Sequence, residues 1–235
     1  MAIDAKTVYD RYWAARDRAR SEPRSRERAG IAIGLLRDAG ISRGRLVDLG
    51  CGPGWTLDAF RAAGFDARGV DGSSVAVEEA RARGLDALLL DLEDADQGSL
   101  RRAAGDGFDA VLCLEVLEHL ADPLAVLRKA RGLLAPGGLM VVSLPNEIAL
   151  PARLSILAGR LPFGGHDDPH VRHFDRRRAR RLFADAGLRV LASEPVSIVP
   201  PRMRVLRSLL GPATRLAPGC FALAIVHLAR EEEPR

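Results

Sequence analysis

Leu46-Val47-Asp48-Leu49-Gly50-Cys51-Gly52-Pro53-Gly54 is the stretch on which the reading of this chain turns. Apolar residues and an acid run directly into Gly-x-Gly-x-Gly, and a helical pattern follows. An apolar run that stops at a glycine cluster before a helix reads as strand, tight turn, helix. Glycine belongs there for a physical reason. Without a Cβ the backbone takes positive φ and can lie directly against a ligand. A ligand that fills such a turn at the carboxyl end of a parallel strand is usually a nucleoside cofactor. The dinucleotide fingerprint Gly-x-Gly-x-x-Gly is not matched, because Gly54 comes one residue early and Pro53 sits inside the loop.

Outward from this loop, strands and helices alternate. The pattern predicts strands over 45–50, up to Asp71, over 87–90, 108–114, 139–144, 188–192 and about 220–228. Helices are expected over 55–63, from Ser73 or Ser74 through Arg83, over 123–134 and over 175–186. Ala135-Pro136-Gly137-Gly138 reads as a turn by composition. Residues 5–40 read as helical with a charged interruption from Ser21 to Arg28. This rhythm implies right-handed βαβ units, a parallel sheet, and one doubly wound, Rossmann-like α/β domain with seven strands and helices on both faces. After Pro145 the period is lost, and 146–174 reads as an insertion with a short helix near 149–158. A further helix is expected near 202–210, and the tail from Glu231 is read as disordered.

At 235 residues, 47% hydrophobic and 28% charged, the chain suits a single soluble domain. No apolar run approaches the ~18 residues of a membrane span, and Asp4, Lys6 and Asp10 replace the apolar stretch of a signal peptide. Cys51, Cys113 and Cys220 are odd in number and widely spaced, and are read as reduced thiols of a cytoplasmic protein. The net charge of +4 comes almost wholly from arginine and is read as spread over solvated helix faces.

Asp-x-Gly-x-Gly-x-Gly closely resembles motif I of the class I S-adenosylmethionine (SAM)-dependent methyltransferases. Four further matches follow in order. Gly69-Val70-Asp71-Gly72-Ser73 places an acid at the end of the second strand, where it would accept from both ribose hydroxyls. Leu90-Asp91-Leu92 resembles the segment whose acid meets the adenine amino group and whose next backbone N–H meets the ring. Phe108 to Leu120 with Asp122-Pro123 resembles the Glu-Val-Leu-Glu-His segment after strand four. There Leu114 would offer its carbonyl to the SAM amino group and His119 would stand at the mouth. Leu134 to Gly138, before a strand and Pro145-Asn146, resembles the turn before strand five. The resemblance implies SAM as cofactor and S-adenosylhomocysteine (SAH) as product. It implies Asp48, Gly50, Cys51, Gly52, Gly54, Asp71, Gly72, Ser73, Asp91, Leu92, Leu114, Glu115 and Tyr12 as cofactor residues. It divides the single domain 1–235 into a helical lid over 1–40, a SAM-binding half over 41–146 and a substrate-binding half over 147–230.

No Asn/Asp-Pro-Pro-Tyr or Pro-Cys pair follows strand four, which argues against exocyclic-amine or cytosine C5 methylation of nucleic acid. His166 to Asp175 resembles a segment that lies over the acceptor pocket in ubiquinone-biosynthesis-type O-methyltransferases. Its histidines read as acid/base groups, as packing and solvated residues, or as metal ligands; a resident metal is not expected. His119 first and His170 second are the expected bases for taking a proton from the acceptor, with a structural role for His119 as the competing reading. Arg176 to Arg181 wrap most of a helix and are read as solvated. Tyr9, Tyr12 and Trp13 share one helix face, suited to a lid or to plain packing.

The reaction expected is methyl transfer to an oxygen or nitrogen of a small molecule. Residues 146–174 and 195–218 are expected to shape the acceptor pocket, and Leu150, Leu154, Ile156, Leu157 and Phe163, with several arginines, point to an apolar acceptor bearing an anionic group. An RNA methyltransferase, a non-catalytic SAM-binding partner protein and an NAD-dependent oxidoreductase are the alternatives. A monomer or homodimer is expected.

Overall fold

The computed structural model describes residues 5–161 and 170–232. Two helices come first, α1 (Ala5–Ala15) and α2 (Arg18–Asp38). An alternating run follows: β1 (Gly44–Leu49), α3 (Trp55–Ala62), β2 (Phe65–Asp71), α4 (Ser74–Ala82), β3 (Asp86–Leu89), α5 (Gln97–Ala104), β4 (Phe108–Leu114), α6 (Pro123–Arg131) and β5 (Leu134–Pro145). The remainder is α7 (Leu150–Leu157), α8 (Arg176–Asp185), β6 (Leu188–Ser197), α9 (Arg204–Leu216), α10 (Pro218–Phe221) and β7 (Ala222–Glu231).

The seven strands form one sheet in the order β3-β2-β1-β4-β5-β7-β6. The order reverses beside β1 and β4, the topological switch point at which open α/β sheets bind ligands. Alternating side chains of each strand feed two cores. Val47, Leu49, Val111 and Met140 pack with α5, α6 and α8 on one face. Leu46, Leu112 and Val141 pack with α2, α3 and α4 on the other. Each fully buried leucine, such as Leu36 or Leu127, contributes about 2 kcal/mol by area.

Five features correct the expectations. The sheet is mixed, because β7 runs antiparallel to both β5 and β6. Ser197 pairs with Ala222, so α9 and α10 return the chain to the end where β6 stops and no crossover restores its direction. The first helical break falls at Arg16-Asp17, while Ser21 to Arg28 lies within α2. Two arginines of that stretch are tied to neighbouring elements: Arg24 donates to the carbonyls of Ser197 and Ile198, and Arg26 to Glu22 and Asp58. Residues 135–138 belong to β5, which takes up the irregularity as a register shift opposite Phe108 and Ala110. The unexpected α5 is too short for periodicity to show, with only Leu100 and Ala104 buried and Asp96 capping it. β7 also extends to Glu231, the first residue of the expected tail.

Candidate functional site

A cavity of about 1130 Å³ opens at the carboxyl ends of β1, β2 and β4. Its floor at one end is the glycine loop. Gly50, Gly52 and Gly54 all have positive φ, at 80°, 53° and 80°. The loop is tied to β2, since Gly50 and Cys51 donate to the Val70 carbonyl at 2.7 and 3.1 Å. A Cβ on Gly50 would lie 2.3 Å from Val116, and one on Gly52 2.7 Å from the Trp13 ring. Gly54 differs: it precedes α3, its added Cβ would strike Leu85, and it does not line the cavity. Its absent side chain serves helix packing.

Asp71 at the end of β2 accepts from Gly52 N at 2.8 Å and from Ser73 N at 2.9 Å, and it lines the cavity. Burial lifts its pKa to about 6 against those two donors. Asp48 is buried beneath the loop without reaching the cavity, and one of its oxygens lacks a partner. Burial, and then Asp71, pushes its pKa well up. Ser73 is the N-cap of α4: its Oγ accepts from Ala76 N and donates to Asp10 Oδ1 at 2.7 Å, behind the wall. Gly72, Asp91, Leu92, Leu114 and Glu115 line the cavity with Cys51. Asp91 Oδ1 accepts from Glu93 N at 2.8 Å, which fixes its carboxylate at the rim.

The roof is α1. Tyr9, Tyr12 and Trp13 face the cavity from it, as their spacing requires. Trp13 meets Trp55 edge to face at 5.9 Å, and the Tyr9 hydroxyl donates to the His119 carbonyl at 3.2 Å. Burial, with Glu93, Asp91 and Asp71 nearby, pushes the Tyr9 phenol up to about 12. Asp10 ties the same helix to Ser73 and Ser74. The second half of α2 belongs to the core layer, with Ala29, Ala32 and Leu36 buried, while Ser21, Pro23, Arg24 and Arg28 before it line the cavity.

The other end of the cavity holds the titratable groups. β4 leaves the sheet at Glu115, the one non-glycine residue with positive φ (57°) among those described. Such backbone strain is characteristic of functional sites. A short 3₁₀ turn, Leu117–His119, then presents Glu118 and His119. The His119 and His170 rings stand edge to face at 4.9 Å. Glu147 accepts from His170 Nδ1 at 3.2 Å and from His173 Nδ1 at 2.6 Å, an assignment that puts the His170 lone pair on Nε2. Glu118 is fully buried with neither oxygen hydrogen-bonded and His119 Nε2 4.0 Å from Oε1, and burial followed by Glu115 pushes its pKa well up. Glu118, His119 and His170 offer ligand atoms within 4.8 Å of one another, the one such cluster among the described residues. His166, Asp167, Asp168 and Phe163 lie outside the described residues.

Arg16 and Arg28 were not anticipated. Arg28 is buried, lies 3.8 Å from Glu115, and its Nε has no partner. Arg16 lies over the Tyr12 ring at 4.5 Å, and burial lowers its pKa. Both line the cavity. Within an arginine-rich helix no sequence signal separates Arg28 from its solvated neighbours. Leu154, Ile156 and Leu157 of the insertion point outward instead, at 56%, 52% and 83% exposure. The other stretch expected to shape the pocket, 195–218, does reach the cavity, through Ile198, Pro200, Pro201 and Arg202. The arginines of α8 lie outside the cavity, and its buried face is Ala179, Leu182 and Phe183.

Residues 14–193 match the family described as "Methyltransferase domain". A ubiquinone biosynthesis O-methyltransferase of Cereibacter sphaeroides is 39% identical over 129 residues, 52% of each chain. One of a Caulobacter species is 32% identical over 163 residues, 67% of this chain and 61% of that one. The chain thus spans about half the length of the curated relatives it matches. Magnesium protoporphyrin IX methyltransferase from Synechocystis, solved with SAM, superposes with a TM-score of 0.63 at 16% identity over 99% of both chains. The CcbJ methyltransferase of Streptomyces caelestis superposes at 0.61, with 17% identity over 90% of both. The fold is the Rossmann-like methyltransferase fold, and the chain belongs to the methyltransferase domain family.

Proposed function

We propose that the protein transfers a methyl group from SAM to an oxygen or nitrogen of a small-molecule acceptor in the cytoplasm. One observation carries this reading. A single cavity runs from the glycine loop and Asp71 to the paired rings of His119 and His170.

The residues present fit SAM. Gly50 and Gly52 let the backbone lie against the nucleoside, and Asp71 offers its carboxylate to the ribose hydroxyls. Asp91 and Leu92 stand where adenine would lie. The methionine end is a zwitterion. The unpartnered Nε of buried Arg28 suits its carboxylate, and the Leu114 carbonyl and Glu115 suit its ammonium. Asp48, Gly54 and Ser73 support this cradle from behind. When bound, SAM supplies an activated methyl and its own leaving group, so alignment and exclusion of water are the protein's main tasks. The aromatic roof of α1 excludes water. Residues 41–146 hold the cofactor under this reading, and 147–230 with α1 and α2 enclose the acceptor.

Proton removal is the remaining chemistry. His119 is the first base and His170 the second, with Glu147 holding His170 in the tautomer that accepts at Nε2. Arg16 and Arg202 favour an acceptor with an anionic group, and Ile198, Pro200 and Leu223 favour an apolar body. The names of the curated relatives support oxygen as the methylated atom. Incubation with methyl-labelled SAM and a panel of phenolic and catecholic acids should give acceptor-dependent label transfer. SAH binding without transfer to any acceptor would instead favour the non-catalytic reading.

A further inference from the structure

We infer that α9, with α7 beside it, docks the protein on an anionic lipid surface. The inference concerns the outside of the molecule and does not rest on the reading of the cavity.

α9 turns apolar side chains into solvent. Val205, Leu209 and Leu216 are 78%, 72% and 86% exposed. At 3.6 residues per turn they fall within roughly 40° of one another, forming a single stripe. Arg204 and Arg215 flank that stripe on one side. The opposite face holds the helix to the fold: Thr214 is buried and Arg207 pairs with Glu27 of α2. An amphipathic helix normally turns its apolar stripe inward. Here the stripe is turned outward, which marks an interaction face.

The charge around it names the partner. From Pro195 to Arg230 the sequence has five arginines and no acid. α10 packs on both α9 and α7. On α7 and the residues after it, Leu154, Ile156, Leu157 and Leu161 are more than half exposed. Residues 148–161 likewise carry Arg153 and Arg160 with no acid. Exposed leucines edged by arginines suit a helix lying in the headgroup region of an anionic bilayer. A second copy would bring like charges together, and a nucleic acid would meet leucines where it needs polar or stacking groups. Pro200, Pro201 and Arg202 at the start of α9 line the cavity, so docking would place its mouth near the lipid.

The test is co-sedimentation of the full chain with phosphatidylcholine vesicles and with vesicles containing phosphatidylglycerol. Binding to the anionic vesicles, weakened by salt, is expected. L209E with L216E should weaken it by about tenfold or more, and R204Q with R215Q should weaken it and flatten the salt dependence. Circular dichroism confirms that these surface variants fold. Absence of binding to anionic vesicles, or equal binding by the leucine variant, would overturn the inference. So would a dimer in the vesicle-free protein that dissociates in that variant, because the stripe would then face a second copy.

Discussion

The glycine-loop end of the cavity and the histidine end differ in how the chain assembles them. At the loop end, Gly50, Gly52, Asp71, Asp91 and Leu114 sit at successive strand ends. Parallel pairing of β1 with β2 and β4 brings them together automatically. At the histidine end, His119 follows β4, Glu147 follows β5, His170 precedes α8, Arg16 lies between α1 and α2, Arg28 comes from α2, and Arg202 follows β6. Those residues come from distant parts of the chain, and all but Arg28 lie outside its strands and α-helices. The contrast teaches that one end is fixed by sheet topology, while the other can be rebuilt for a new acceptor without disturbing the sheet.

If that division is sound, substitutions at one end should leave the other intact. His119→Ala should lower turnover by about 10²–10⁴-fold, the usual contribution of a general base, with SAH affinity unchanged. Full turnover in that variant would assign His119 a structural role. Gly52→Val should do the reverse. It forces a β-branched residue to φ 53° against the Trp13 ring, and SAH affinity should fall by about 100-fold or more. Calorimetry with SAH separates the two variants, and a Gly52 variant that binds normally would break the comparison.

Asp71 gives the finer test. Its folded-state pKa of about 6 lies above the ordinary 3.8, so the native state holds the proton more tightly. The stability this contributes is complete below about pH 4 and is lost as the pH rises through about 6. The loss amounts to at most about 3 kcal/mol. Buried Asp48 and Glu118, also shifted upward, act in the same direction. Ligand hydroxyls that donate to Asp71 favour its charged form. SAH affinity should therefore rise by about tenfold between pH 5 and pH 7, and Asp71→Asn should flatten both the affinity and stability profiles. A pH-independent wild-type affinity would remove Asp71 from the ribose site.

The same difference explains what the sequence revealed. Motif spacing predicted β1, β4 and the end of β2 to within a residue, because glycine loops and strand-end acids are local features. It missed the antiparallel β7, because α9 and α10 look like a crossover in one dimension. Of the two stretches expected to shape the acceptor pocket, 195–218 reaches the cavity, while Leu154, Ile156 and Leu157 of 146–174 face away, since apolar composition does not say which way a helix faces. Arg28 and Glu147 gave no local signal at all. Their roles arise from burial beside Glu115 and His170, which only the folded chain brings near.

The most direct measurement is calorimetric titration of the folded protein with SAH. One-to-one binding at micromolar affinity is predicted by the glycine loop, Asp71 and Arg28 acting together. Absence of binding by demonstrably folded protein would contradict the assignment of the cavity to SAM.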